Sequence, residues 1–284
     1  MGRSMAGHLL AVGHTLHVFN RTRDKAADLL ARGAAWCDSP AEVGARSEIV
    51  FTMVGFPGDV DEVYFGPAGL FSRAPGFRIA VDMTTAPPAL AVRIAAAATA
   101  RGQQTLDAPV SGGDVGARNA TLAIMVGGDR TTFDEVLPLF TLLGKHIVHL
   151  GGPGAGQHTK LANQLVIAGS MIGVCEALLY ARRQGLAPLQ VIEILEKGAA
   201  QSWTLSNLGR RIVQDDFAPG FYVEHFIKDL GLAVDESRRA GLNLPGLQLA
   251  HTLYQRLAAM GHGRAGTQAL MKALDEVATL KQVE

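Results

Sequence analysis

A lysine and two side-chain amides lie close together in one apolar segment of the sequence. Lys160, Asn163 and Gln164 are spaced i, i+3 and i+4, so in a helix they share one face. The neighbours Leu161 and Leu165 predict that this face is half buried, and burial lowers the pKa of a lysine from its ordinary value of about 10.4 toward neutral. Such a lysine can transfer a proton during a reaction, whereas a lysine early in a helix is otherwise usually solvated.

Two further segments carry groups that could hold a ligand. Ser111, Gly112 and Gly113 follow a predicted strand and offer a hydroxyl and two backbone N–H groups that no side chain shields. Such a group of donors suits a carboxylate, and a flexible glycine turn is the structural alternative. Lys228 and Asp229 form the second segment, for which the alternative is a solvated ion pair.

The elements that must position these groups differ between the two halves of the chain. In the first half, short β-branched runs alternate with alanine-rich helical stretches, which predicts a parallel sheet built from βαβ units. The predicted strands are 16–20, 49–54, 78–82, 105–109, 122–126 and 146–150, with helices that include 25–32 and 89–101. After the glycines at 151–154, only helical patterns follow, at 157–184, 188–197 and 228–240. We therefore predict an α/β Rossmann-like dinucleotide-binding domain at 1–152 and an all-α domain at 153–284.

The start of the predicted dinucleotide-binding domain departs from the usual layout. Such a domain needs a strand, a glycine-rich turn and a helix, but here Met1-Gly2 leads directly into helix. We expect the native chain to begin upstream; the alternative is a shortened chain with impaired cofactor binding. The next strand ends in Asn20-Arg21-Thr22 rather than in an acidic residue. An arginine there favours the 2′-phosphate of NADP over NAD, although a solvated loop arginine is the other interpretation.

Composition excludes several classes of partner. Lys and Arg number 26 and Asp and Glu 26, so the chain has none of the basic excess expected of a nucleic-acid-binding protein. Cys37 and Cys175 fall in no disulfide or metal spacing, which favours the cytoplasm, and we predict no metal site. The apolar stretch 161–181 contains polar residues and lacks flanking interface anchors, so we interpret it as a buried helix and expect no membrane partner.

Four motifs together resemble the β-hydroxyacid dehydrogenase family, which includes 3-hydroxyisobutyrate dehydrogenases and semialdehyde reductases. Met1-Gly2 matches the end of that family's Gly-x-Gly-x-Met-Gly turn, whose preceding strand and leading glycines are missing. The segments 107–113 and 154–163 match its Ser-Gly-Gly and Gly-x-Gly-x-x-x-Lys-x-x-Asn motifs, and 228–230 matches Lys-Asp-Leu. The resemblance covers nearly the whole chain. The chain departs from the family at Gln164, where a second asparagine is usual, and at 263–268.

The resemblance implies a role for each matching residue. Lys160 is the expected catalytic acid/base, Asn163 orients the substrate, and Ser111, Gly112 and Gly113 hold its acid group. The residues expected to contact NADP or NAD are Met1, Gly2, Asn20, Arg21, Thr22, Met53, Val54, Thr85 and Lys228. The implied reaction interconverts a small β-hydroxy acid, the expected partner, and its semialdehyde or keto form, in a homodimer or homotetramer.

Two alternative functions remain open at this point. Imine reductases share the architecture but usually replace the lysine, so Lys160 argues against that activity. A non-catalytic scaffold built on a dinucleotide fold is favoured only by the missing first strand, and it has no need for Lys160, Ser111 and Lys228 together.

Overall fold

The structure is a computed structural model that describes residues 1–74 and 76–278. The chain divides into two compact units, an N-terminal unit, Met1–Lys160, and a C-terminal unit that begins at Leu161. The N-terminal unit is α/β and the C-terminal unit is helical, so the predicted fold class is confirmed.

The strands of the N-terminal unit form two sheets in the described residues. The strands are β1 (His17–Val18), β2 (Ala35–Trp36), β3 (Ile49–Thr52), β4 (Ile79–Asp82), β5 (Gln104–Asp107), β6 (Val110–Ser111), β7 (Leu122–Gly128) and β8 (Gly144–His149). β1 and β2 pair in parallel as a separate sheet. The other six have the order β3-β4-β5-β7-β6, and β8 also pairs with β7.

The larger sheet is mixed, whereas the alternating sequence pattern predicted a parallel sheet. β3, β4 and β5 run parallel, as do β7 and β8, but β7 is antiparallel to both β5 and β6. β7 is antiparallel to β5 because the connection between them passes through β6 and the short helix at 113–118 and does not make a full crossover. β2 and β6 were not predicted, because two-residue strands show no periodicity.

Helices cover the larger sheet and place loops at the carboxyl ends of its strands. The helices are α1 (Gly2–Ala11), α2 (Ala27–Ala31), α3 (Pro40–Arg46), α4 (Pro57–Phe65), α5 (Pro88–Thr99), α6 (Gly113–Arg118) and α7 (Arg130–Thr141). The predicted helix at 25–32 is a 3₁₀ turn, Arg23–Ala26, followed by α2. All four residues of β4 are buried, as expected for a strand covered on both faces.

The C-terminal unit consists of helices packed around one apolar core. The helices are α8 (Ala155–Arg183), which begins in the N-terminal unit, α9 (Pro188–Leu195), α10 (Arg210–Val213), α11 (Val223–Arg239), α12 (Pro245–Leu257) and α13 (Leu270–Ala278), with a π-helix at Thr204–Gly209 before α10. Phe226 and Tyr254 are fully buried, and their rings meet edge to face at 4.8 Å in this core.

α8 is less buried than the sequence predicted. It is long and apolar enough to cross a membrane, as the core helices of soluble proteins also can be. Only 39% of its most apolar stretch is buried in the structure. Val166 and Tyr180 are 70% and 67% exposed. At Gly169 and Gly173, no atom outside the adjacent residues and the nearby backbone of the helix lies within 4 Å of the position that a Cβ would occupy. One face of α8 is therefore open in the single chain.

Candidate active site

Lys160 lies in the second turn of α8 and is only 6% exposed. It is more deeply buried than the half-buried position predicted from its neighbours. Since α8 is continuous through this stretch, Asn163 follows one turn later, and its side chain is half-buried. A lysine buried at this depth is a candidate for proton transfer.

The loop after β4 contains Thr85 and connects the predicted cofactor-lining residues to the start of α8. The Thr84 hydroxyl accepts a hydrogen bond from the Val54 backbone N–H at 3.0 Å. The Gln157 side chain donates to the Thr84 carbonyl at 2.8 Å and accepts from the Ala86 N–H at 3.0 Å. Thr85 is half-buried between these bonded residues. The carboxyl ends of β3 and β4 thus meet the first turn of α8 at one edge of the sheet, where ligands bind in open α/β sheets.

Ser111, Gly112 and Gly113 form the bend between β6 and α6. Gly112 has φ +125° and Gly113 has φ +61°, values in the left-handed region that side chains other than glycine rarely adopt. Gly112 is exposed and Ser111 is half-buried, so the hydroxyl and the backbone can be approached from solvent.

The residues predicted to bind the cofactor near the chain start come together at α1. Met1 precedes α1 and Gly2 opens it, and a Cβ on Gly2 would lie 3.5 Å from the Met53 Cβ at the end of β3. A helix N-terminus beside the carboxyl end of a strand is the arrangement that receives a pyrophosphate. Burial lowers the pKa of the Met1 α-amino group from its ordinary value.

Arg21, the residue predicted to favour NADP over NAD, lies in the segment after β1. Arg21 forms a two-pronged ion pair with Asp59 of α4, at 2.8 and 3.4 Å, and its side chain is 72% exposed. Asp59 also accepts from the backbone N–H of Phe56 and so caps α4. The Asn20 side-chain amide donates to the Thr22 carbonyl at 2.7 Å and so stabilises the loop that contains both residues. Asp59 was missed in the sequence because nothing local marks it as a partner of Arg21.

In the C-terminal unit, the predicted ligand residues Asn163 and Lys228 belong to one polar chain. The Asn163 amide donates to Gln164 at 2.8 Å, and Gln164 donates to the Asp229 carboxylate at 2.6 Å. Asp229 is 1% exposed, and its other oxygen lies 2.8 Å from the Lys228 ammonium. The longer arm of Gln164, where the resemblance suggests asparagine, makes the bond to Asp229 in this chain.

The residues present fit the pyrophosphate and the 2′-phosphate of a bound NADP. α1 begins at the edge of the sheet, and the Arg21 guanidinium is exposed where a phosphate could meet it. Over residues 1–74 and 76–278, no group of three His, Cys, Asp or Glu side chains is arranged to hold a metal ion.

Comparisons with known proteins identify the family of this chain. Residues 1–151 match the NAD-binding domain of 6-phosphogluconate dehydrogenase, and residues 154–274 match the family described as the NAD-binding domain of NADP-dependent 3-hydroxyisobutyrate dehydrogenase. The chain is 49% identical to a probable 3-hydroxyisobutyrate dehydrogenase-like protein of Arabidopsis thaliana, over 98% of this chain and 83% of the relative. It is 40% identical to 2-hydroxy-3-oxopropionate reductase of Escherichia coli, over 99% and 96%.

A solved structure shows the same architecture. The 3-hydroxyisobutyrate dehydrogenase of Mycobacterium tuberculosis with L-serine is 31% identical and superimposes with a TM-score of 0.86, over 96% of this chain and 95% of that one. The fold and these relatives thus define an NAD(P)-dependent oxidoreductase. The chain belongs to the β-hydroxyacid dehydrogenase family and is a hydroxyacid dehydrogenase that uses NAD(P).

Proposed function

We propose that this enzyme interconverts a small β-hydroxy acid and its semialdehyde, with Lys160 as the proton-transfer residue. The observation that supports this most directly is the near-complete burial of Lys160 in α8, one turn before Asn163. A bound nicotinamide supplies or accepts the hydride. In reduction, the Lys160 ammonium donates its proton to the carbonyl oxygen of the substrate as negative charge develops there. In oxidation, the neutral amine removes the hydroxyl proton.

The other ligand residues orient the substrate. Ser111, Gly112 and Gly113 hold its carboxylate through a hydroxyl and backbone N–H groups, and Asn163 orients the reacting end. We propose that residues 1–152 form the nucleotide-binding domain and that residues 153–284 form an all-helical substrate and dimerisation domain. NADP is the preferred nucleotide, held at Met1-Gly2, at 20–22, along Met53, Val54 and Thr85, and by Lys228.

The role of Lys160 is tested by Lys160→Ala, with the exposed Lys145→Ala as a matched control. We expect kcat with 3-hydroxyisobutyrate, glycerate or succinic semialdehyde to fall about 10²- to 10⁴-fold, because a positioned acid/base contributes that much. The Kd for NADPH, measured by fluorescence, should stay within about twofold, since Lys160 acts on the substrate. A Lys160→Ala enzyme with the kcat of the unaltered protein would overturn the assignment.

We also propose a homodimer or homotetramer in the cytoplasm, in which a second copy of the chain covers the open face of α8. Val166, Gly169, Gly173 and Tyr180 lie within one narrow arc of that helix, and the glycines allow another backbone to approach closely. Light scattering should show that Val166→Glu lowers the mass toward the monomer, whereas Val92→Glu, at an exposed site on α5, leaves it unchanged. An unchanged mass for Val166→Glu, or retention of the protein by lipid vesicles, would contradict this proposal.

A further inference from the structure

Two buried polar side chains outside the expected ligand set join three segments of the active site. Asp107 ends β5 and is 4% exposed, while Gln157 lies in the first turn of α8 and is fully buried. We propose that Asp107 and Gln157 are positioning residues that fix the place of Lys160 relative to the substrate-binding bend and the loop that carries Thr85. This inference rests on the proposed role of Lys160.

Asp107 caps α8 from a distance in sequence. Gly154, which precedes the helix, has no side chain with which to accept the first N–H groups. The Asp107 carboxylate accepts these hydrogen bonds instead, with one oxygen 2.8 Å from the Gly154 nitrogen and the other 2.9 Å from the Gln157 nitrogen. Burial raises the pKa of Asp107, and hydrogen bonds from the backbone oppose that rise. A negative charge at a helix N-terminus is also favoured by the helix dipole.

The start of α8 packs closely against the strand ends. A Cβ on Gly156 would lie 2.4 Å from the Met125 carbonyl oxygen and 2.6 Å from that of Asp107. A Cβ on Gly127 would lie 2.6 Å from the Asp107 carboxylate. Neither position accepts a side chain without movement of the backbone, so the two glycines permit the close approach that the carboxylate then holds.

Gln157 fixes the same helical turn against the cofactor side of the site. Its amide group donates to the carbonyl of Thr84 and accepts from the N–H of Ala86, the two residues that flank Thr85. Lys160 follows Gln157 by three residues, which is a rise of about 4.5 Å along the helix. Ser111 follows Asp107 along the chain through β6. Movement of either buried side chain therefore changes the distance from the Lys160 ammonium to both ligand-binding segments.

The test compares Gln157→Met and Gln157→Glu in the full-length enzyme. Methionine preserves the volume but removes both bonds, so kcat should fall about 10- to 100-fold, as expected for a displacement near 1 Å, while the Kd for NADPH changes little. Glutamate keeps the acceptor for Ala86 but places a carboxylate oxygen against the Thr84 carbonyl. When protonated, it can donate to that carbonyl, so the kcat of Gln157→Glu relative to the unaltered enzyme should recover as the pH falls, whereas that of Gln157→Met should not. Asp107→Asn should also lower kcat, because it places a side-chain NH₂ group against a backbone N–H that needs an acceptor.

The matched control is Gln103→Met. Gln103 is 2% exposed and donates from its side chain to the Phe77 carbonyl at 2.7 Å, so the same substitution removes a comparable buried bond elsewhere in the unit. Its kcat should stay within about twofold of the original at temperatures below unfolding. Normal kcat in Gln157→Met and Asp107→Asn, or an equal loss in Gln103→Met, would overturn the inference. Failure of the proposed function is distinguishable, because it appears as full turnover in Lys160→Ala.

Discussion

Replacement of Arg21 by alanine should change the choice of nucleotide and little else. Arg21 follows the strand that carries the ribose-binding residue in dinucleotide folds, and its side chain is 72% exposed. Asp59 holds the guanidinium in place with both carboxylate oxygens, so this group is oriented before a ligand arrives. The 2′-phosphate of NADP must share the guanidinium with that carboxylate or displace the carboxylate, whereas NAD has no phosphate at this position.

The size of the effect follows from two opposing interactions. A hydrogen-bonded pair of arginine and phosphate is worth about 1.5–3 kcal/mol, which corresponds to about 10- to 150-fold in affinity. The exposed pair of Arg21 and Asp59 is screened by solvent and is worth about 0.2–1 kcal/mol. We therefore expect Arg21→Ala to lower kcat/KM for NADPH by at least about tenfold with little change for NADH. Asp59→Asn should raise the preference for NADPH by up to about fivefold, because the competing charge is lost and the cap of α4 retains an acceptor.

The assay measures kcat/KM for both nucleotides at a saturating concentration of the hydroxy acid. Arg23→Ala is the control, because Arg23 lies two residues away and its guanidinium packs over the Trp36 ring at 5.1 Å. Its ratio of NADPH to NADH activity should remain that of the unaltered enzyme. An equal loss for both nucleotides in Arg21→Ala would refute a contact specific to the 2′-phosphate, and so would no loss at all.

Three other substitutions test further parts of the structure. Gln164→Leu should raise KM for the hydroxy acid and lower the free energy of unfolding by about 1–3 kcal/mol, since buried Asp229 loses a donor. Phe226→Ala should lower that free energy by about 3–5 kcal/mol in urea titrations, because the ring is fully buried. Arg211 holds the pKa of Asp216 at about 2, so the stability from that carboxylate is present above about pH 4 and lost as the pH falls through 2. The Tm difference between Asp216→Asn and the unaltered protein should thus be greatest near pH 7 and shrink below pH 4; a constant difference would contradict it.

The elements of the fold could be predicted largely from periodicity. The predicted strand 78–82 is β4 and the helix 188–197 is α9, to within two residues at each end. Periodicity reports which faces of an element are buried, but it does not report the direction of its neighbours in the sheet. For this reason the antiparallel pairing of β7 could not be predicted, even though the strand itself was.

The roles of the candidate site residues were predicted from the resemblance to the family, and local spacing supports only part of that prediction. Lys160 and Asn163 are related by the helical repeat, so the sequence alone places them together. Asp107 meets Gly154 across 47 residues, and Gln157 meets Ala86 across 71. Only the order of β4 and β5 in the sheet brings these residues together, and no local pattern reports that order.

The buried partners show why this site needs more than its ligand residues. A lysine can transfer a proton only when its nitrogen is held within hydrogen-bond reach of the substrate oxygen. A helix that begins at a glycine has no cap of its own, and α8 would be free to fray at the turn that precedes Lys160. The carboxylate of Asp107 and the amide of Gln157 remove that freedom, at the cost of burying one charge. Both polar groups are buried and bonded to the turn before Lys160, which favours a role in positioning that residue.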